Sequence, residues 1–165
     1  MINQTPKAND ARRMRKLARQ LLAGGIFADE PLRRSGTLLQ ALPVIAPGGK
    51  LHSWLVPITV GDRLAAFFQL LPDGVLMRFS SFQRRPGEIA GCPIAADWLD
   101  PTLIKGRVEI KRGIDEKAAE PFLTYDRTPD RIVWAVPLVK SGGEVRHVYV
   151  TGETAFEPSP GESVG

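Results

Sequence analysis

Apolar residues recur with helical spacing between residues 10 and 23. Positions i, i+3, i+4, i+7 and i+8 are occupied by Met14, Leu17, Ala18, Leu21 and Leu22. The opposite side carries five cations, which are Arg12, Arg13, Arg15, Lys16 and Arg19. Asn9 or Asp10 can cap the first turn, and Gly24-Gly25 can end the helix. The pattern therefore predicts an amphipathic helix over residues 10–23 whose apolar face packs on the rest of the protein.

A second, shorter helix is predicted before Pro43. The acids and the proline of Asp29-Glu30-Pro31 suit a helix start. Ser35-Gly36 interrupts the leucine pattern that follows, so a helix confined to residues 35–42 is an equal alternative.

From Leu51 onward, β-branched and aromatic residues predict strands. The turns Gly61-Asp62 and Pro72-Asp73-Gly74 divide the first section into an antiparallel meander over residues 54–60, 63–71 and 75–82. Pro57 indicates that its strand is an edge strand or contains a bulge. A second β section is predicted over residues 122–125, 131–139 and 145–151. Between the two sections, Asp100-Pro101 suits a helix start, and residues 107–111 fit either that helix or a strand.

One five-residue pattern occurs twice, 80 positions apart. Trp54-Leu55-Val56-Pro57-Ile58 and Trp134-Ala135-Val136-Pro137-Leu138 both read Trp-x-Val-Pro-aliphatic, and each is followed by a turn with glycine. Either the chain holds two copies of a β-hairpin unit, or two strands meet the same requirement independently. Both tryptophans are expected in the core, together with Leu17, Leu21, Leu22, Val56, Phe67, Phe79, Val136 and Val148.

These elements predict an α+β fold: an N-terminal amphipathic helix, or two, packed on an antiparallel β-sheet. If the five-residue pattern is a duplication, the sheet contains two related hairpin units, which begin at Trp54 and Trp134. One domain is expected over residues 10–156, between an extended or disordered segment 1–9 and a disordered tail 157–165. The hairpin of residues 134–152 resembles the strand–turn–strand unit of PepSY-type domains. That likeness is confined to the hairpin and assigns no family.

Composition narrows the class of protein. The 165 residues are 43% hydrophobic and 24% charged, which is ordinary for a globular domain and excludes coiled-coil, collagen-like and wholly disordered chains. Cys92 is the only cysteine, so an internal disulfide cannot form, and a reducing compartment is favoured. The longest uncharged stretch, residues 35–49, is too short and too rich in proline and glycine to span a bilayer. A cytoplasmic location is expected.

The positive charge is concentrated at one end of the sequence. Residues 1–20 contain six Lys or Arg against one Asp, a net of +5, whereas the other 145 residues contain 16 cations and 17 acids. The basic helix face is therefore the candidate binding site for nucleic acid or an acidic protein. A solvated surface helix and a homo-oligomer contact are the alternatives. Membrane binding is not expected, since the short apolar face lacks Trp and Phe.

Catalytic patterns are weak throughout the sequence. Cys92 would need His52 or His147 as its base, but neither histidine lies in a supporting motif. Asp126 and Asp130 alternate with arginines around Thr128-Pro129, which favours a solvated turn over an acid–base pair. Phosphate-loop spacing and histidine-based metal motifs are absent, so neither a cofactor nor a metal is expected.

The leading hypothesis is a small cytoplasmic, non-enzymatic binding or regulatory protein. The first alternative is a nucleic-acid-associated protein that uses the basic face of helix 10–23. The second alternative is a small enzyme with a pocket near Cys92 or Asp126.

Overall fold

The computed structural model describes residues 5–25 and 30–158. It confirms the α+β class: an N-terminal helix is followed by a mostly antiparallel β-sheet. Residue contacts divide the chain into two compact units, Met1–Pro43 with Leu51–Ala95 (unit 1), and Val44–Lys50 with Ala96–Gly165 (unit 2). The predicted single domain stays a prediction. Most of the tail predicted for residues 157–165, and the first four residues of segment 1–9, lie outside the described residues.

Helix α1 runs over Ala8–Ala23, as its apolar spacing predicts. Its N-cap is Lys7, whose side chain makes no capping bond, so Asn9 and Asp10 lie inside the helix. At the other end, Gly25 has a φ of +67°, the left-handed conformation that glycine adopts without strain. The residues buried on the inner face are Ala11, Met14, Ala18 and Leu22.

Unit 1 builds its sheet around one long strand. Strand β3 (Leu51–Val60) pairs antiparallel with β1 (Thr37–Leu38) and β4 (Arg63–Leu70), and β4 pairs with β5 (Leu76–Ser81). The predicted meander is therefore confirmed. The second helix, α2, covers Glu30–Ser35, so the alternative of a helix over residues 35–42 is wrong, because Leu38 and Leu42 lie in strands.

The core of unit 1 lies between this sheet and the helices. Alternate residues of β3 and β4 share the face that α1 covers: Trp54, Val56, Ile58, Ala66, Phe68 and Leu70. Leu17, Leu21 and Phe79 are only partly buried at its margin. Phe67 is also half-exposed, because it alternates onto the opposite face of β4. Those four predicted core residues are thus less buried than expected.

Unit 2 has a second antiparallel set of strands centred on β8 (Ile132–Lys140). β8 pairs with β9 (Val145–Thr151) on one side and with β6 (Glu116–Ala118) and β7 (Phe122–Tyr125) on the other. β10 (Thr154–Phe156) adds to β9, and β2 (Leu42–Ile45) pairs in parallel with β7 through Val44 and Leu123.

Short helices complete the region between the two β sections. α3 covers Ala95–Leu99, and α4 covers Pro101–Arg107, where the Asp100 side chain accepts a hydrogen bond from the amide of Thr102. A 3₁₀ turn follows at Glu109–Lys111, so the alternative of a strand over residues 107–111 is wrong. Within the described residues, none of the helices has the length and apolarity required to cross a lipid bilayer.

The two Trp-x-Val-Pro segments occupy matching positions in β3 and β8. Trp54 and Trp134 are 2% and 7% exposed, which confirms their burial. In each strand the proline carbonyl accepts a 2.9 Å hydrogen bond from the amide of the residue that follows a short neighbouring strand. Leu39, after β1, donates to Pro57, and Ala119, after β6, donates to Pro137. Proline has no backbone N–H to donate, so it is tolerated at a strand position where the neighbouring strand ends. Both alternatives, a shared local requirement and duplication, stay hypotheses.

Pro57 marks a bulge rather than an edge. β3 has partners on both sides, which excludes the edge-strand alternative. Its register with β4 shifts between Ile58 and Thr59, one residue beyond the proline. A bulge therefore lies next to the proline, inside the sheet.

Candidate functional site

All five candidate cations of α1 are exposed on the side away from the core. The buried positions Ala11, Met14, Ala18 and Leu22 fix the rotation of the helix about its axis. Two of these four are alanines, which let the helix backbone approach the sheet closely. Packing of the apolar face therefore orients the cations toward solvent, as the sequence predicts.

Two of the five cations also hold the helix in place. The Arg13 guanidinium donates a 2.7 Å hydrogen bond to the carbonyl of Pro72, and Arg15 Nε donates a 3.0 Å bond to the carbonyl of Leu38. Both acceptors are main-chain groups of unit 1, so the bonds leave the positive charges uncompensated. Arg13 and Arg15 are consequently anchors of the helix, a role that sequence spacing alone does not reveal.

Arg12, Lys16 and Arg19 form the outward row of the helix. Their spacing of i, i+4 and i+7 places them on one side, about 6 Å and 4.5 Å apart along the axis at 1.5 Å per residue. Within residues 5–25 and 30–158, no side chain bonds or ion-pairs with these three. We refer to Arg12, Lys16 and Arg19 as the cation row.

The charge asymmetry extends to the whole of unit 1. Its residues include 12 Lys or Arg against 6 Asp or Glu, a net of +6, whereas unit 2 has 10 against 12, a net of −2. Asp10, the acid in the first turn of α1, lies about 160° around the helix from Arg12 at 100° per residue. The cation row thus faces solvent in the positively charged unit.

Cys92 is unsuited to nucleophilic catalysis in this structure. Its side chain is 1% exposed and belongs to the apolar core of unit 1, with Sγ 3.7 Å from the carbonyl of Glu88. Burial raises the pKa of the thiol, and Arg63 only partly opposes that effect. A protonated, covered thiol is a poor nucleophile.

Asp126 lies in the turn that joins β7 and β8, as predicted, but it is buried rather than solvated. It is 4% exposed, and its Oδ2 lies 3.2 Å from a nitrogen of Arg131. Arg127 beside it has a φ of +66°, an uncommon conformation for a residue with a Cβ. The predicted solvated turn is therefore wrong for this carboxylate, because tertiary packing covers it and Arg131 pairs with it.

Two buried oxygens at the end of β7 and in this turn lack partners among the described residues. They are Asp126 Oδ1 and the hydroxyl of Thr124, which lies two residues earlier, in β7. Asp130, by contrast, is exposed. The described residues contain no group of three His, Cys, Asp or Glu placed to hold a metal ion. The arrangement pairs one carboxylate with one arginine, not two carboxylates with each other.

A network of hydrogen-bonded polar side chains crosses β3, β4 and β5. The sequence pattern does not predict it. Gln69 donates a 2.8 Å bond to Ser53 Oγ and accepts a 2.7 Å bond from Arg78 Nε, and both Gln69 and Ser53 are fully buried. His52 Nδ1 lies 3.0 Å from the same Ser53 oxygen, and burial lowers the pKa of this histidine. Arg78 also stacks over the Phe67 ring, at 5.1 Å from its centroid. These side chains satisfy one another's hydrogen-bonding groups, so the polar network stabilises the sheet.

Comparison with known proteins yields no relative. No family model matches the sequence, and neither a curated protein nor a solved structure shows significant similarity to it.

Proposed function

We propose that this chain is a non-enzymatic binding protein that associates with nucleic acid through the cation row of α1. The observation that carries the proposal is the row itself: three exposed cations without a described counter-charge, held in fixed spacing by a helix whose other side is buried. Phosphates supply most of the sequence-independent affinity in nucleic-acid complexes, and cations in such a row can lie along them.

The chemistry of the row favours phosphates over a protein or lipid partner. Two of its three members are arginines, whose planar guanidinium binds phosphate oxygens in pairs. The outward side of α1 offers no large apolar side chain of the kind that forms the centre of protein interfaces. Its apolar face is buried in unit 1 and so cannot enter a membrane.

Titration of labelled oligonucleotides tests the proposal. Fluorescence anisotropy would measure the Kd of the full chain for single strands and duplexes of about 20 nucleotides, which exceeds the site size of one small domain. Three phosphate contacts predict a slope of log K against log salt of about −2 for single strands and about −2.7 for duplexes. Polyglutamate of similar length serves as the competing polyanion.

A charge-matched pair of variants makes the test specific. Arg12→Ala/Arg19→Ala removes two charges from the row, and Lys50→Ala/Lys117→Ala removes two exposed charges from unit 2. We expect the first variant to bind several-fold more weakly with a flatter salt slope, and the second to bind like the parent protein. Equal behaviour of both variants, or tighter binding of polyglutamate than of nucleic acid, would refute the proposal.

We also place this function in the cytoplasm. The support comes from the sequence, whose one cysteine, Cys92, is consistent with a reducing compartment. Imaging of the full chain in cells would test this, and an exported protein would contradict it.

A further inference from the structure

The outer side of helix α4 and of the 3₁₀ turn that follows it is apolar. The backbone stays helical from residue 101 to residue 111, because Val108, between the two elements, also has helical torsion angles (φ −90°, ψ −5°). Leu103 is 42% exposed, and Ile110 is 89% exposed. Both face away from Ile104 and Val108, which are fully buried and fix the rotation of the segment. Unit 2 therefore presents two large aliphatic side chains to solvent from one helical segment.

Gly106 lies between these two side chains on the same side of the segment. At about 100° per residue, Leu103, Gly106 and Ile110 fall within an arc of about 60°. A Cβ added to Gly106 would meet no atom within 4 Å, so the glycine leaves an open gap between the two side chains. Along the helix axis, Leu103 lies about 4.5 Å before the gap and Ile110 about 6 Å after it. We refer to these three residues as the apolar stripe.

Hydrogen bonds hold the chain that follows the stripe. Arg146 donates a 2.5 Å bond to the carbonyl of Lys111, and its Nε lies 2.8 Å from Oε1 of Glu116. The other carboxylate oxygen of Glu116 accepts a 2.7 Å bond from the amide of Gly113. Ile114, in the turn that these bonds hold, is fully exposed. Aliphatic exposure in this part of unit 2 thus belongs to a well-bonded segment. Adjacent exposed aliphatic residues of this kind are typical of an interaction surface.

The charges around the stripe are nearly balanced. Residues 97–120 contain five Lys or Arg against six Asp or Glu, a net of −1. The two cations that flank the stripe are both paired: Lys105 Nζ lies 2.8 Å from Glu120 Oε1, and Arg107 Nη2 lies 3.6 Å from Asp97 Oδ1. A surface without net positive charge has no electrostatic attraction for nucleic acid or for an anionic bilayer. Because it is nearly neutral, it produces little repulsion between two copies of itself.

From the stripe we infer that the chain forms a two-fold symmetric dimer, in which residues 101–111 pack antiparallel against the same segment of a second copy. Gly106 lies near the middle of the stripe. A two-fold axis beside it therefore places Leu103 of each copy against Ile110 of the partner subunit. The glycines let the two backbones approach closely at the axis. The inference does not depend on the proposed function, because the stripe belongs to unit 2 and the cation row to unit 1.

Sedimentation velocity of the full chain tests the dimer. The stripe is small beside a standard interface of about 800 Å² per partner, so we expect a concentration-dependent equilibrium between monomer and dimer. Ile110→Asp places a carboxylate near the axis in both copies and should raise the dimer Kd at least about tenfold. Val75→Asp is the matched control, since Val75 is 56% exposed and lies in unit 1. We expect this control to dimerise like the parent protein.

A second variant separates dimerisation from folding. Gly106→Gln adds a side chain where the monomer has open space, and glutamine favours a helix more than glycine does. The monomer should therefore unfold at the same temperature as the parent protein or at a higher one. The filled gap should nevertheless keep the two segments apart and raise the dimer Kd. Thermal unfolding and sedimentation of the same sample measure the two effects.

Two results would refute the inference. The first is a parent protein that stays monomeric at the highest concentration at which it is soluble. If that monomer co-sedimented with vesicles of phosphatidylserine and phosphatidylcholine, and Ile110→Asp did not, the stripe would be a lipid-binding surface instead. The second is a dimer whose Kd is the same in the parent protein, Ile110→Asp and Gly106→Gln, because its contact would then lie elsewhere on the chain.

Discussion

The indole N–H of Trp134 donates a 2.7 Å hydrogen bond to the main-chain carbonyl of Trp98, which joins the central strand of unit 2 to helix α3. The Trp134 side chain is 7% exposed, so the bond is shielded from water. Cross-strand partners hold Trp134 between Leu123 and Val150. The bond therefore fixes a helix that has no buried residue of its own.

Trp134→Phe should destabilise the protein by about 1 to 3 kcal/mol, because it removes this bond and leaves a carbonyl with a lost partner. Urea unfolding would measure the change. Trp54→Phe is the control, since it removes the same atoms at a 2%-exposed site whose indole N–H bonds to no described residue. Equal losses in both variants would show that the effect is packing alone.

Arg15→Ala should cost about 1 kcal/mol of stability, because it removes the bond from Arg15 Nε to the Leu38 carbonyl. Arg12→Ala should change stability by less than about 0.5 kcal/mol, since the Arg12 side chain is exposed and anchors nothing among the described residues. Thermal unfolding of the two variants provides the comparison. A larger loss for Arg12→Ala would contradict the division of α1 into anchors and free cations.

Thr124→Val should leave stability unchanged or raise it by up to about 1 kcal/mol. The hydroxyl of Thr124 is fully buried without a protein partner among the described residues, and valine keeps its shape while removing the cost of burying that group. Thr124→Ala, which leaves a small cavity, should be destabilising. A loss of more than about 1 kcal/mol in the valine variant would instead mean that the hydroxyl has a partner in solution.

Low pH should reduce the stability that Glu116 contributes to the folded protein. Bonds from Arg146 and from the amide of Gly113 lower the pKa of this carboxyl from 4.5 to about 2. A carboxyl with a lowered pKa in the folded state contributes stability that is present above pH 4.5 and is lost as the pH falls toward 2. Unfolding curves of the parent and Glu116→Gln proteins should therefore converge over that interval. A difference that stays constant from neutral pH to pH 2 would contradict the assignment.

Local patterns were sufficient to predict much of the fold. The helical spacing from Met14 to Leu22 predicts α1, and alternation around two tight turns predicts the meander, since both depend on residues close in sequence. The burial of Asp126 and the bond from Arg13 to Pro72 depend on residues that meet only through tertiary packing. For the same reason, charge counts place the basic excess in α1 but cannot show that Arg15 bonds to the carbonyl of Leu38.

Labelling of Cys92 can report when the core of unit 1 opens. Cys92 is the only thiol in the chain, is 1% exposed, and lies in the same apolar core of unit 1 as the buried face of α1. A thiol-reactive dye can reach Cys92 only when that core opens. The labelling rate therefore measures how often the core of unit 1 opens. Addition of an oligonucleotide to the reaction would then show, without any probe on α1, whether binding at the cation row slows the opening of the core on which α1 packs.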